Sequence, residues 1–108
     1  MATLEFGFGE NLKLSAGGEE TWNAMARAAF QPRMLRGNFN GPIDDIDIVS
    51  LRIGVDEQLV DGRVPLRKVL DSSLPLPLVL PGLLVSVRLA SRAASSLELA
   101  IWLEGDDA

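Results

Sequence analysis

The chain has no cysteine, no histidine and no tyrosine. Without cysteine there is no disulfide framework and no thiolate to act as nucleophile or metal ligand. Without histidine the commonest general base, the commonest transition-metal ligand and the usual near-neutral proton switch are missing. Zinc, copper and non-haem iron are therefore not expected, and neither is any other cofactor; carboxylate and backbone oxygens are the ligands that remain. Two tryptophans and four phenylalanines offer little aromatic surface for the sugar subsite that flanks a glycosidase carboxylate pair. The glycines of Gly7-Phe8-Gly9 and Gly17-Gly18 are not followed by the Lys-Ser or Lys-Thr of a phosphate loop, and they read as turns. Positive charge is also scarce. Ten Lys and Arg stand against fifteen Asp and Glu, for a net charge of −5 spread along the chain. That leaves no basic patch to displace counterions from a nucleic acid. The first residues do not follow the pattern of a secretory leader, being interrupted by Glu5, Gly7 and Gly9. The longest apolar run, Leu74 to Leu89, carries Pro75, Pro77, Pro81 and Gly82 and reaches Arg88, short of the roughly 20 residues that a bilayer helix needs. A soluble protein without a membrane span is expected.

What the chain does have is a series of short alternating segments separated by breaks. Its 108 residues, 47% of them hydrophobic, suit one globular domain over residues 1–108. Leu4, Phe6 and Phe8, then Leu12 and Leu14, alternate with polar or small neighbours, which puts them on one face of a strand. Thr21 to Phe30 is ambiguous. Trp22, Met25, Ala26, Ala29 and Phe30 make a helical stripe, while Trp22, Ala24, Ala26, Ala28 and Phe30 make an alternating face. The strand-rich context favours the extended reading. After Asn40-Gly41-Pro42, a turn, the β-branched stretch Ile43 to Val55 is the clearest strand, with Asp45, Asp47 and Arg52 facing outward. Its change of phase between Ile48 and Val49 points to a bulge or a change of face there. Val64 to Leu70 reads as a connection with one helical turn after Pro65. Leu83, Val85, Val87 and Leu89, and then Leu97, Leu99, Ile101 and Leu103, are the inward residues of two further strands. Gly105 to Ala108 reads as a short free acidic tail. Seven or eight short strands in one small chain predict an all-β, single-domain antiparallel sandwich of jelly-roll type.

The order of these residues resembles a family. Thr21-Trp22 leads to Phe30-Gln31-Pro32-Arg33-Met34-Leu35, then Ile48 through Gly54, Gln58-Leu59, Val64-Pro65 and a strand opened by Pro81-Gly82. Over roughly residues 10 to 105 this resembles the single jelly-roll coat proteins of tailless icosahedral bacterial viruses, with their alternating strand, aromatic-x-Pro corner and strand ending in a glycine turn. The chain departs from that pattern at Arg36-Gly37-Asn38 and in the proline-rich segment Leu74 to Pro81. The resemblance implies a non-enzymatic structural protein located in the virion and made in the host cytoplasm. It would pack against copies of itself, and with other particle proteins, as capsomer, vertex or accessory subunit. The alternative is a small β-sandwich module that binds a carbohydrate or a host protein; an acidic mimic of nucleic acid is a weaker third.

Each remaining cluster has a plain structural reading beside a functional one. Asp44-Asp45 with Asp47, and Asp56-Glu57, could supply oxygens to Ca²⁺, but lack the spacing of a calcium-binding loop and read as solvated carboxylates. Trp22 and Trp102 read as core or subunit contacts. Arg27, Arg33, Arg36 and Arg52 lie on separate segments and read as partners of nearby acids. The segment Leu74-Pro75-Leu76-Pro77-Leu78-Val79-Leu80-Pro81 stands apart. Proline cannot donate to a ladder, so the segment belongs at a sheet edge or outside it. Leu76, Leu78 and Leu80 alternate with its prolines and are the expected subunit interface, forming a ring or trimer; the plain reading is a loop folded across the open end of the sandwich.

Overall fold

The computed structural model describes residues 3–9, 11–59 and 62–108. Nine strands and one helical turn follow in order: β1 Thr3–Gly7, β2 Leu12–Leu14, β3 Glu19–Met25, β4 Phe30–Phe39, β5 Ile46–Ile53, β6 Asp56–Glu57, β7 Val64–Pro65, α1 Leu66–Val69, β8 Leu84–Ser91 and β9 Leu97–Asp107. In the first sheet β9 is central. β1 and β2 pair with successive stretches of one of its edges, and β4 pairs with the other. In the second sheet β3 pairs with β8 and β8 with β5, whose far edge is covered by β6 and β7. All these pairings are antiparallel.

The free edge of β4 is lined by the proline-rich segment. Phe30 and Val79 exchange both backbone bonds, at 3.0 and 2.9 Å, while Leu74 N–H donates to Arg33 O at 2.8 Å and Asp71 N–H to Leu35 O at 3.0 Å. Prolines 75 and 77 interrupt this ladder because they have no N–H to give. Four pairs result, from the chain ends inward: β1 and β2 with β9, β3 with β8, β4 with the segment (antiparallel at Phe30–Val79, with a parallel bridge at Leu35–Leu70), and β5 with β6 and β7. The chain changes sheet after β2, after β3 and after β4, keeps β5, β6 and β7 together in the second sheet, passes the segment beside β4, and returns to the second sheet for β8 and to the first for β9. This nested winding is that of a jelly roll.

The inner faces follow from the alternation. Leu97, Leu99, Ile101 and Leu103 of β9 face Val85, Val87 and Leu89 of β8 and Ile46, Ile48, Leu51 and Ile53 of β5, and all are buried. One end of this core is closed by Leu66 and Val69, which α1 turns inward. On β5 a register shift between Ile48 and Ser50 inserts one residue, so inward positions move from even to odd numbers without losing burial. That is the bulge expected from the change of phase at Val49.

Three expectations need correction. Thr21 to Phe30 is extended only as far as Met25, where β3 ends. Ala26 is then tied to the following turn, its N–H donating to Leu83 O at 2.9 Å and its carbonyl accepting from Gly82 N–H at 2.8 Å. The chain bends at Arg27 and Ala28, and Ala28 is exposed, so the alternating face breaks there. Gly105 to Asp107 are not a free tail. They continue β9, opposite Pro32, Gln31 and Phe30, and Asp106 is neutralised by Arg33. Nor is Pro32 a corner: β4 runs straight through it, accommodated by a register shift between Pro32 and Met34. Arg36-Gly37-Asn38, where the family pattern is lost, is regular strand paired to Trp102, Ile101 and Ala100.

Candidate functional site

The proline-leucine segment does not carry its leucines on one side. Leu74 and Leu76 pack against the core, and Leu76 is held by a bond from the Gln31 side-chain amide to its carbonyl at 2.8 Å. Val79 is fully buried, whereas Leu78 and Leu80 remain 44% and 52% exposed. The alternation therefore slips by one residue at Leu78. Of the three residues expected at an interface, two face outward and Leu76 faces in.

Three side chains that were not apparent in the sequence join them. Met25 and Leu84 are cross-strand partners at the end of the β3–β8 ladder. Val55, 91% exposed, caps the tight β5–β6 turn, whose Gly54 has φ +66° and donates its N–H to Leu84 O at 2.8 Å. The bonds of Ala26 to Leu83 and Gly82 stitch the β3–β4 turn to the turn before β8. Met25, Val55, Leu78, Leu80 and Leu84 therefore sit on turns that meet at one end of the sandwich. Among the described residues they are the large hydrophobic side chains left exposed. Clusters of exposed apolar side chains commonly mark contact surfaces, and this one is the candidate site. It presents no acid–base pair and no nucleophile, so what it can do is bury apolar area against another surface.

The acidic clusters are drawn into separate structural roles. Asp44 pairs with Arg67 at 2.7 Å. Asp47 is not solvated, as the alternation suggested, but 5% exposed, with Arg63 at 2.6 Å and Arg92 at 3.4 Å closing over it. Glu57 folds back on β5, accepting from Ser50 Oγ, from Leu51 N–H at 2.9 Å, and from the N–H groups of Gln58 and Leu59 at 3.1 and 3.3 Å. Burial acts to raise its pKa, but the bonds from Ser50, Leu51 and Leu59, with Arg52 nearby, outweigh burial and hold it below the ordinary carboxylate value. The ionised form is therefore the one the fold stabilises. This contribution is complete at pH values above the unfolded pKa and is lost as pH falls through the lowered folded one. Glu57→Gln should accordingly flatten the acid limb of a plot of melting temperature against pH. An acid limb identical to that of the parent would show that the carboxylate is not held in this way.

Arg33, Arg36 and Arg52 are each taken up by neighbouring acids. Arg33 pairs with Asp106, Arg36 with Asp71 and Glu104 at 3.0 Å each, and Arg52 with Glu57 at 3.6 Å. Trp22 is half-buried on β3 and packs against the core. Trp102 lies half-buried on the outer face of β9, opposite Gly7 of β1 and Arg36 of β4, and its Nε1 is buried without an acceptor among the described residues. Among the described residues, no helix is long and apolar enough to cross a membrane. Comparison with known proteins gives no match: no family model, no curated protein and no solved structure aligns significantly with this chain.

Proposed function

We propose that the chain is a non-enzymatic structural subunit of a virus particle, a coat, vertex or accessory protein, that assembles with copies of itself through the apolar end of its jelly roll. The observation that carries the self-assembly is the convergence of Met25, Val55, Leu78, Leu80 and Leu84 on neighbouring turns. A small-ligand site needs polar groups that orient the ligand, and this surface offers side chains fit for burial only. Around a symmetry axis the same end of each subunit meets its neighbours, and a closed ring or trimer satisfies every copy. Leu78 and Leu80 are about half exposed, so each has roughly half of the 1.5–3 kcal/mol of full side-chain burial still to gain, less the cost of association.

Leu78→Ser with Leu80→Ser should abolish the ring or trimer in light scattering and leave the far-ultraviolet circular dichroism unchanged. Leu76→Ser should act differently, lowering the melting temperature, because Leu76 is partly buried against the core. A parent protein with no ring or trimer at high concentration, or a Leu78/Leu80 variant that unfolds, would sink the assembly reading. The virion half rests on the resemblance of the residue order to jelly-roll coat proteins. Mass spectrometry of purified particles from the source virus or prophage tests it, and absence from every particle would discard it.

A further inference from the structure

The edges of the two sheets are not equally protected. The segment beside β4 carries Pro75 and Pro77, and β6 and β7 are two residues each. The β1–β2 edge is broken by Gly9 at φ +134° and Asn11 at φ +55°. Prolines, short strands and distorted backbone are how native sheets block further pairing. β3 has none of these. It is a seven-residue strand that pairs with β8 along its whole length without a register shift, and among the described residues no other strand borders it.

Which of its backbone groups are free follows from the ladder. Ser91 N–H donates to Gly18 O and Ala26 N–H to Leu83 O, both at 2.9 Å. Antiparallel residues alternate between hydrogen-bonded and non-hydrogen-bonded pairs. Positions 20, 22 and 24 therefore bond to β8, and the N–H and C=O groups of Glu19, Thr21, Asn23 and Met25 point to the open edge. No hydrogen bond reaches them among the described residues.

We propose that β3 pairs antiparallel with β3 of a second copy, across a twofold axis passing between their Trp22 residues. This centre is the one that gives all four outward residues a partner. It sets Thr21 against the partner's Asn23, and Glu19 against the partner's Met25, as hydrogen-bonded pairs. It sets Glu20 against the partner's Ala24, and Trp22 against the partner's Trp22, as non-hydrogen-bonded pairs, where side chains approach most closely. No charge opposes a like charge. A parallel in-register pairing would align Glu19 and Glu20 with their own copies and is disfavoured. The half-buried Trp22 gains an aromatic neighbour. The second sheet then continues across the axis into that of the partner. The dimer stands on the strand edge alone; only its use as the second contact of a shell, beside the ring at the apolar end, rests on the coat reading.

The test uses sedimentation of the full chain. In the Leu78→Ser, Leu80→Ser background a folded dimer is expected, because the edge is untouched. Thr21→Pro removes an outward N–H and no bond to β8, so it should keep the fold and weaken the dimer on the order of tenfold to a hundredfold. Two paired variants read the register without touching the backbone. Thr21→Lys with Asn23→Lys sets lysine against lysine and should dissociate the dimer; Thr21→Lys with Asn23→Glu sets opposite charges together and should restore it. A strictly monomeric Leu78/Leu80 variant would overturn the dimer while leaving the apolar contact standing. So would a lysine–glutamate variant no more dimeric than the lysine–lysine one. A parent that forms dimers but no ring would instead remove the apolar contact and leave this one.

Discussion

Gly105→Ala should lower the melting temperature on the order of 10–20 °C, a loss of about 3 kcal/mol or more. A Cβ built at this position lies 2.0 Å from Gln31 O and 2.8 Å from Gln31 C and Pro32 Cα. These are backbone atoms, so no rotamer change relieves the overlap. The glycine is enclosed on both sides, paired to Leu4 of β1 and to Pro32 of β4 at the point where β4 shifts register. Close approach of two chains, and not a left-handed backbone, is what demands glycine here; Gly105 is absent from the residues with positive φ. To admit a methyl group β4 must separate from β9, the most extensive strand pairing in the molecule. Gly7→Ala is the matched control, because its added Cβ meets nothing within 4 Å, and it should stay within about 0.5 kcal/mol of the parent. A Gly105→Ala protein melting within a few degrees of the parent would mean that the Pro32 region yields freely.

The same region shows where sequence reasoning stops. Strands β8 and β9 were legible because period-two alternation is a local signal: Val85, Val87 and Leu89, then Leu97, Leu99, Ile101 and Leu103, are all buried as their spacing predicts. The bulge at Val49 was legible for the same reason. Pro32 was not, since local rules expel proline from a sheet interior. It stays inside because of a bulge beside it and a glycine opposite, far away in the chain. The end of β9 was misread for a related reason. Asp106 looks solvated until Arg33 and the paired strands are brought alongside. Asp47 likewise looked outward, and is, but Arg63 and Arg92 cover it.

The apolar end was legible only in part. Leu78 and Leu80 announced themselves through the prolines around them, while Met25, Val55 and Leu84 lie on three separate segments with nothing local to set them apart. What makes them a surface is the winding, which brings the β3–β4, β5–β6 and pre-β8 turns to the same end. Leu76 packs against the core, and the amide of Gln31, on another strand, holds its backbone there. No spacing rule contains that bond. The β3 edge is legible only once the ladder phase is known, since alternation says which side chains face the core but not which amides face β8.

Phe30→Ala should be the second large effect, at roughly 3–5 kcal/mol for deleting a buried phenyl ring. Phe30 is 1% exposed and joins three parts of the fold. Its ring stacks on that of Phe6 of β1, with centroids 5.2 Å apart. Its backbone opens β4 opposite Asp107 of β9, and on the other side it exchanges two bonds with Val79 of the proline-rich segment. The stacked pair should show a coupling of about 0.5–1.5 kcal/mol in a double-mutant cycle with Phe6→Ala. The more telling consequence is local. Val79 lies between Leu78 and Leu80, so loosening the Phe30–Val79 bridge releases the two leucines proposed for the subunit contact. In Phe30→Ala the Val79 amide should exchange with solvent faster than the amides of β8, and assembly should weaken under conditions where circular dichroism still reports folded protein. If instead Val79 keeps its protection relative to β8 while assembly is unchanged, the segment is held by its buried leucines alone and Phe30 is an ordinary core residue.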